Sequence, residues 1–323
     1  MDPFTRRQLL ELSSEFYRRH AAGFDASRAH HAWPGWQRVL EAVDASSGET
    51  ASGFTAGGTG PTEAPSETPA RPAPALRVLD IGCGNARLAA FLHEALRSRA
   101  RVDAGAPPRR LAYVGVDSNA SLLEAARERL SPEVAETVSL VEQDFLAAAA
   151  RDPAAAGRDL PAGPFDLVAL FGVLHHVPDR ALRLSLLRAA RDRLAADGVL
   201  ALAAWQFADR PRFARHRMAW RDLPPVLGAP VDPEALEPGD HLLRFGEDPE
   251  KPPRYCHQVS DEELDSLPDA LGLVAIDDFR SDGAQGDLNR YRILRAPRAP
   301  RGPEAPDAQT VPHDESRRRL RTA

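Results

Sequence analysis

A short strand followed at once by a two-glycine turn is the feature that most constrains this chain. Residues 76–81 have the apolar pattern of a buried strand, and Gly82 and Gly84 flank Cys83 in the turn that follows. Such a turn brings main-chain N–H groups close to a ligand with no Cβ atoms in the way. The dinucleotide fingerprint Gly-x-Gly-x-x-Gly requires a third glycine at position 87, where this chain has Arg87. The sequence therefore predicts a ligand-binding turn without the pyrophosphate spacing.

Charge and composition exclude several classes of function. The 323 residues carry a net charge of −6, which argues against a globally basic nucleic-acid binder, though not against a local basic patch. Lys251 is the only lysine and lies in a Pro-rich stretch, so we expect neither a P-loop lysine nor a Schiff-base lysine. Two cysteines, Cys83 and Cys256, cannot build a disulfide framework. With no apolar leader and no membrane-length apolar run, we expect a cytoplasmic protein without a membrane partner.

Composition divides the chain into four predicted parts. In chain order these are an N-terminal helical cap (1–44), a disordered linker rich in Ser, Gly, Thr and Pro (45–75), a large domain (76–296) and a disordered polar tail (297–323). Within the large domain, an Arg-rich and then Pro-rich segment over 206–260 interrupts the regular pattern. We interpret that segment as an insertion that contacts a substrate or a partner.

Strands and helices alternate through the large domain. Strands are predicted near 76–81, 111–117, 137–143, 165–170 and 198–205, with helices near 86–98, 119–130 and 180–195. This alternation implies right-handed crossovers and a mostly parallel sheet. A helix over 260–271 and two late strands, 273–280 and 288–295, predict a closing antiparallel hairpin. The expected fold class is α/β, a Rossmann-like doubly wound and mostly parallel sheet with a C-terminal antiparallel hairpin and N-terminal helices.

Acidic and aromatic residues follow the predicted strands at their carboxyl ends, where open parallel sheets bind ligands. Asp80 precedes the glycine turn, and Asp117 closes the second strand, where it could accept hydrogen bonds from both hydroxyls of a ribose. Asp144 and Phe145 follow the third strand and suit the exocyclic amine and the face of an adenine. Residues 171–176, after the fourth strand, could form a wall of the reaction zone.

Over residues 76–206 this set of motifs resembles the class I S-adenosylmethionine-dependent methyltransferases. The motifs that carry the resemblance are Leu79–Asn85, Gly115–Asp117 and Asp166-Leu-Val followed by His-His-Val. The resemblance implies S-adenosyl-L-methionine as cofactor, with Gly82 and Gly84 near its methionine part, Asp117 at the ribose and Asp144 at the adenine. The candidate cofactor-binding residues are Asp80, Gly82, Cys83, Gly84, Asn85, Asp117, Ser118, Asp144, Phe145 and Phe171. This cofactor has no pyrophosphate, in agreement with the missing third glycine.

A dinucleotide oxidoreductase is the rival interpretation of the same architecture. It would also place an acid at the end of the second strand, so Asp117 does not discriminate between the two. Arg87 in place of a glycine does discriminate, as does the Gly-Val-Leu-His-His sequence over 172–176. Both features favour a methyltransferase.

Flanking residues point to one group within this class. The N-terminal motifs Phe16-Tyr17, Phe24–Arg28 and Trp33-Pro34 resemble the wobble-uridine tRNA carboxyl methyltransferases, as do Leu174–Val177, Arg183 and Ala203–Trp205. These enzymes esterify 5-carboxymethyluridine in the anticodon, and in eukaryotes they work with a small zinc-binding activator subunit. The resemblance implies tRNA as substrate and such a subunit as partner. It also implies Arg28, His176 and Arg183 as catalytic residues on the substrate side, with Trp205 nearby.

The chemistry of methyl transfer leaves alternatives open. A carboxylate is already ionised at pH 7 and needs no general base, whereas a hydroxyl usually needs one. Arginines suit carboxylate capture, but His176 is compatible with either acceptor. A small-molecule O- or N-methyltransferase therefore remains open. So does a non-catalytic methyltransferase-like subunit that binds a partner through 206–260.

Residues 210–221 are the best candidate for RNA contact. They interleave five arginines with Phe213, His216 and Trp220, which places charge beside stacking surfaces. The alternative is that these arginines only form a solvent-exposed surface, in a chain that is rich in arginine throughout.

No metal site is expected from the sequence. The candidate ligands His30-His31, His175-His176 and Cys256-His257 are adjacent pairs. Structural zinc sites use spaced ligands instead.

Overall fold

The computed structural model describes residues 1–28, 32–51, 75–102, 109–223, 231–244 and 253–297. The predicted tail, 297–323, lies outside these residues except for its first position, and most of the predicted linker, 45–75, does so too. None of the described helices is long and apolar enough to cross a membrane.

The core of the protein is a seven-stranded sheet with the order β3-β2-β1-β4-β5-β10-β9. The strands are β1 (Ala75–Ile81), β2 (Arg110–Asp117), β3 (Val138–Glu142), β4 (Phe165–Phe171), β5 (Leu194–Trp205), β9 (Val274–Ser281) and β10 (Asn289–Arg295). The first five are parallel, and β10 lies antiparallel between β5 and β9. The prediction of an α/β sheet with a C-terminal antiparallel hairpin is confirmed.

Helices cover both faces of this sheet. They are α1 (Pro3–Arg28), α2 (Gly35–Ala51), α3 (Arg87–Val102), α4 (Ala120–Arg129), α5 (Pro132–Ala135), α6 (Arg180–Arg191), α7 (Pro211–Ala214) and α8 (Asp261–Leu271). Side chains of β4 alternate between the two cores: Val168 and Leu170 pack on the side of α6 and α8, whereas Leu167 and Ala169 pack on the side of α2 and α3. Both faces of β4, in the middle of the sheet, are therefore buried, as expected for this fold class.

The second helix is longer than the sequence indicated. The predicted helical cap ended at position 44 and the disordered linker began at position 45, but α2 continues to Ala51. The reason is packing: Val39, Leu40 and Val43 are buried at helical spacing, and the buried Ser46 hydroxyl donates to the carbonyl of Ala42 at 2.9 Å. The start of the predicted linker at position 45 is corrected accordingly.

A small second sheet was not predicted. Its strands β6 (Arg217–Met218), β7 (Asp240–Leu243) and β8 (Arg254–His257) are antiparallel and lie in the segment interpreted as an insertion. Tyr255 of β8 packs with Leu9 and Leu12 of α1 in a separate cluster. Strands of two and four residues are too short to produce a recognisable alternation in the sequence.

The aromatic rings of the candidate RNA segment contact the protein itself. Phe213 lies 4.8 Å from the ring of Trp205, edge to face, and Trp220 packs against the cluster that contains Leu9. Arg210 forms an ion pair with Asp287 at 2.9 Å. These contacts give the segment a packing role and leave the RNA prediction without structural support.

Arg183 of α6 is one of the most deeply buried charged groups of the described chain. Its guanidinium is bonded to both carboxylate oxygens of Glu263 at 2.8 Å, to Glu237 at 2.9 Å and to the carbonyl of Val177 at 3.1 Å. Its side chain is only 2% exposed. Arg183 thereby joins α6 to α8 and to the small sheet, which corrects its prediction as a substrate-side catalytic residue.

Removing this ion pair should destabilise the fold. We expect Arg183→Ala to lower the free energy of unfolding by about 3 kcal/mol, because two carboxylates then lose their partner in a largely buried site. Chemical denaturation measures the loss. The matched control is Arg188→Ala on the exposed side of the same helix, which should change stability by less than about 0.5 kcal/mol. Equal effects of the two substitutions would contradict the assigned role.

Candidate active site

One cavity of about 880 Å³ lies at the carboxyl ends of β1, β2, β3 and β4. Helix α1 forms its opposite wall. The candidate catalytic residue His176 lines it. So do all ten candidate cofactor-binding residues, which are Asp80, Gly82, Cys83, Gly84, Asn85, Asp117, Ser118, Asp144, Phe145 and Phe171. A cavity of this size is typical of a ligand-binding site.

The glycine turn after β1 is shaped by its hydrogen bonds to β2. The N–H groups of Gly82 and Cys83 both donate to the carbonyl of Val116, at 2.7 and 3.0 Å. Gly82 and Gly84 have φ angles of +75° and +53°, in the left-handed region that favours glycine. A Cβ on Gly82 would lie 2.5 Å from the Cγ2 of Val173. The turn therefore needs glycine both for its backbone conformation and for its contact with the segment after β4.

Asp117 connects the end of β2 to this turn. Its Oδ2 accepts the N–H of Gly84 at 2.8 Å and its Oδ1 accepts the N–H of Asn119 at 2.9 Å. Burial raises the pKa of this carboxyl, and the backbone hydrogen bonds oppose that rise. Each oxygen keeps a second lone pair, so the carboxylate is placed to accept two ligand hydroxyls while its orientation stays fixed.

Asp80, the acidic residue of β1, is almost completely buried. Its Oδ2 accepts the hydroxyl of Tyr113 at 2.5 Å. Burial raises the pKa of Asp80 to about 7. Asp80 is thus an acid whose charge at neutral pH depends on its neighbours and on what binds in the cavity.

Cys83, in the middle of the turn, is a packing residue. Burial raises the pKa of its thiol well above the usual value, so the sulfur is protonated and not nucleophilic. A Cβ on Gly115 would lie 2.8 Å from this sulfur, which explains why β2 has a glycine there.

The ends of β3 and β4 form the remaining strand-side walls. Asp144 is exposed at the cavity, and its Oδ1 accepts the N–H of Leu146 at 2.9 Å. Phe145 follows it and is half-buried. On the other side, Phe171 lies 6.1 Å from the ring of Trp36 in a stacked arrangement. These residues offer one acceptor and several aromatic faces to a flat ring system.

A hydrogen-bonded pair of side chains joins α1 to the segment after β4 at the cavity. The Tyr17 hydroxyl and the Nε2 of His176 are 2.7 Å apart, with the two rings edge to face at 5.0 Å. Tyr17 comes from α1 and His176 from the 3-10 turn after β4. Both line the cavity and are half-buried.

Sequence reasoning did not name Tyr17 as a site residue. The signal was present in the spacing of α1, because its cavity-lining residues recur every three or four positions along one helix face. Among them are Arg7, Leu10, Glu11, Ser14, Tyr17 and Arg18. This face carries polar groups where a core-facing helix would carry apolar ones.

Two tryptophan rings and a neighbouring arginine line the cavity near α2. Trp33 and Trp36 are stacked with centroids 5.6 Å apart, and the guanidinium of Arg87 lies 5.9 and 5.7 Å from the two centroids. The residue that replaces the third glycine of the dinucleotide motif therefore stands beside these indoles, at the start of α3.

The other two catalytic candidates are Arg183 and Arg28. Arg183 does not line the cavity and is held by Glu263 and Glu237. The side chain of Arg28 lies outside the described residues. Trp205 packs against Phe207 and against His175, the neighbour of His176, and so supports the cavity from behind.

One cluster of metal-type ligands occurs in the described part of the chain, in the small sheet. Ligand atoms of Glu237, Asp240 and His257 lie within 4.8 Å of one another. The Oδ1 of Asp240 is bonded to the Tyr255 hydroxyl and to the Nδ1 of His257, both at 2.7 Å. These hydrogen bonds account for the cluster without an ion.

Residues 79–200 match the family model of a methyltransferase domain. The matched segment contains the glycine turn, Asp117, Asp144 and His176, and so most of the cavity described above. This segment of the chain is therefore similar to a methyltransferase domain, in agreement with the resemblance over 76–206. No curated protein sequence matches the chain.

Solved methyltransferases resemble the structure at low sequence identity. A S-adenosylmethionine-dependent methyltransferase of Methanosarcina mazei is 16% identical with a TM-score of 0.46, covering 68% of this chain and 91% of its own. Magnesium protoporphyrin IX methyltransferase of Synechocystis PCC 6803 is 13% identical with a TM-score of 0.44, covering 92% and 98%. A methyltransferase of Streptomyces caelestis is 17% identical with a TM-score of 0.44, covering 69% and 84%. Because these sequence identities and TM-scores are low, the matches carry no argument about the molecule that accepts the methyl group.

Loss of the Asp117 carboxylate should weaken cofactor binding. We expect Asp117→Ala to raise the Kd for S-adenosylmethionine by about tenfold or more, because a charged acceptor for two hydroxyls is removed. Isothermal titration calorimetry measures the Kd. Asp209→Ala, on an exposed carboxylate that does not line the cavity, is the control and should bind as the wild type does. An unchanged Kd for Asp117→Ala would refute the assignment.

Proposed function

We propose that this protein transfers a methyl group from S-adenosylmethionine to a hydroxyl oxygen of a small organic molecule. The observation that carries the proposal is the Tyr17–His176 hydrogen bond at 2.7 Å between two residues that line the cavity. A hydroxyl acceptor needs a group that takes its proton, whereas a carboxylate does not.

The residues of the cavity fit the cofactor. The turn at Gly82 and Gly84 carries no Cβ, and Asp117 presents a fixed carboxylate. Asp144 and Phe145 offer an acceptor and a ring face at the third strand end. The cofactor has no pyrophosphate, so Arg87 at the position of the third glycine is no obstacle.

In the proposed reaction the protein positions the acceptor and removes its proton. The cofactor supplies the methyl group as a sulfonium: the carbon–sulfur bond breaks as the carbon–oxygen bond forms, and a neutral thioether leaves. In the His176 tautomer that leaves Nε2 unprotonated, the Tyr17 hydroxyl donates to Nε2, so the Tyr17 oxygen can accept the proton of the substrate hydroxyl while its own proton passes to His176. Positioning under α1 and exclusion of water supply the rest of the acceleration.

The aromatic wall indicates the shape of the acceptor. The half-buried Trp33 is stacked on the buried Trp36, and Arg87 adds one positive charge beside the two indoles. A planar, partly apolar molecule that carries the hydroxyl suits this wall better than a long flexible chain does.

Carboxyl methylation of a tRNA wobble uridine is the second candidate. Support for it comes from the motifs over 174–177 and 203–205, and from His176, which suits either acceptor. Of its predicted arginines, Arg183 is engaged in the fold, and the basic segment 210–221 packs its rings inward. The small activator subunit that the resemblance implies would be a partner under this candidate alone.

Labelled methyl transfer distinguishes the two candidates. The full chain is incubated with methyl-labelled S-adenosylmethionine and either total tRNA or a small-molecule extract. The first proposal predicts label in the small-molecule fraction that survives mild alkali, because ethers are stable there. Alkali-labile label in tRNA would indicate a methyl ester and would replace the first proposal with the second. Absence of label in both fractions would favour a non-catalytic subunit.

The proton-accepting pair should be needed for turnover and not for cofactor binding. We expect His176→Ala to lower kcat by about 100-fold or more, since a general base typically contributes 10²- to 10⁴-fold. Tyr17→Phe should act in the same direction, and both should bind S-adenosylmethionine within about threefold of the wild type. His93→Ala on α3, outside the cavity, is the control. Full activity of both variants would leave the pair without a catalytic role.

A further inference from the structure

Tyr113 is a buried polar side chain beside the cofactor cavity that the proposed mechanism does not use. It lies on β2, is 1% exposed, and does not line the cavity. Its hydroxyl donates to the Oδ2 of Asp80 on the neighbouring strand β1, at 2.5 Å. This bond leaves the Oδ1 of Asp80 for a donor in the cavity.

The sheet is built to allow this contact. Gly115 is opposite Asp80 in the β1–β2 register, and Tyr113 is two residues earlier on the same face of β2. A Cβ on Gly115 would lie 2.9 Å from the Cε1 of Tyr113. The glycine therefore makes room for the Tyr113 ring to lean along the strand and reach the carboxyl of Asp80.

We propose that Tyr113 is a positioning residue of the cofactor site, which holds the Asp80 carboxyl ionised and oriented for the ammonium group of the bound cofactor. The inference rests on the proposed placement of the cofactor, with its amino acid part at the glycine turn. That part carries the cofactor's one ammonium group. Asp80 lies just before the turn and lines the cavity, whereas Asp117, the other acid beside the turn, is assigned to the ribose.

The charged neighbours of Asp80 show why such a residue is needed. Burial raises the pKa of Asp80 to about 7, and the Asp117 carboxylate on β2 adds to the rise, whereas the Tyr113 hydrogen bond and the Arg87 charge from α3 lower it. On the other side, β4 places the uncharged Ala169 opposite Asp80. The pKa values of Tyr113 and of Cys83 lie well above their usual range, mainly through burial, so both stay neutral.

The sign of the expected effect follows from these directions. Without the Tyr113 hydroxyl, the pKa of Asp80 moves higher, and a larger fraction of Asp80 is protonated near neutral pH. A protonated Asp80 binds an ammonium group poorly, so affinity falls. Raising the pH ionises Asp80 in the variant too, and the affinity should then recover toward that of the wild type.

The test is the pH dependence of equilibrium binding to Tyr113→Phe. The Kd of S-adenosylhomocysteine is measured by calorimetry between pH 6 and pH 8, with 5′-methylthioadenosine, which lacks the amino acid part, as the comparison ligand. We expect the Kd of S-adenosylhomocysteine to rise about tenfold at pH 6.5, equivalent to a shift of one pKa unit, and less than about threefold at pH 8. The Kd of methylthioadenosine should not change.

Tyr255→Phe is the matched control. The Tyr255 hydroxyl also donates to a buried carboxylate, the Oδ1 of Asp240 at 2.7 Å, but in the small sheet and away from the cavity. It should cost a similar amount of stability and leave both Kd values unchanged at every pH.

Three results would overturn the inference. An equal, pH-independent loss of affinity for both ligands would show that Tyr113 only shapes the cavity. Wild-type affinity of Tyr113→Phe at every pH would show that the bond has no part in binding. Failure of the wild type to bind S-adenosylhomocysteine would refute the placement of the cofactor itself, and the role of Tyr113 with it.

Discussion

The hydrogen bonds between the glycine turn and the end of β2 are the constraint on which the cofactor site depends. The carbonyl of Val116 accepts two consecutive N–H groups of the turn, and the carboxylate of Asp117 accepts a third from Gly84. These bonds require the register in which Ile81 is opposite Val116. A slip by one residue would turn the acid of β2 to the other face of the sheet. Turn, acid and neighbouring strand therefore act as one unit.

Helix α1 supplies the second requirement, an enclosed acceptor side. The guanidinium of Arg6 is bonded to the Oδ2 of Asp179 at 2.6 Å in a buried position. Asp179 also accepts the N–H of Ala181 at 3.0 Å and so caps α6. Three residues before Asp179 comes His176, which is bonded to Tyr17 of the same helix. The Tyr17–His176 pair is thus supported by further contacts that join α1 to the segment after β4.

Local patterns in the sequence predicted most of the fold and the residues that line the strand side of the cavity. The strands near 76–81, 111–117 and 165–170 have clear apolar runs, and the first two carry the acids Asp80 and Asp117, which line the cavity. Gly82 and Gly84 were recognisable because a tight strand-to-helix turn leaves few alternatives to glycine.

What the sequence did not predict depends on contacts between distant residues. Tyr17 and His176 are 159 positions apart, and nothing in either local sequence specifies their hydrogen bond. Arg183 matched a substrate-side motif, but its partners Glu237 and Glu263 are 54 and 80 positions away in the chain, and no local pattern pairs them with it. The small sheet is missed for the same reason, since its short strands are fixed by packing on α1.

Hydrogen–deuterium exchange of the full chain with and without S-adenosylhomocysteine tests the central claim most directly. The claim is that one ligand is bound jointly by the ends of β1, β2 and β3 under α1. It predicts slower exchange at saturation in three peptides, those that cover 82–86, 117–120 and 144–147, and in the cavity-facing part of α1. Protection confined to the small sheet, or no protection at a saturating concentration, would contradict it.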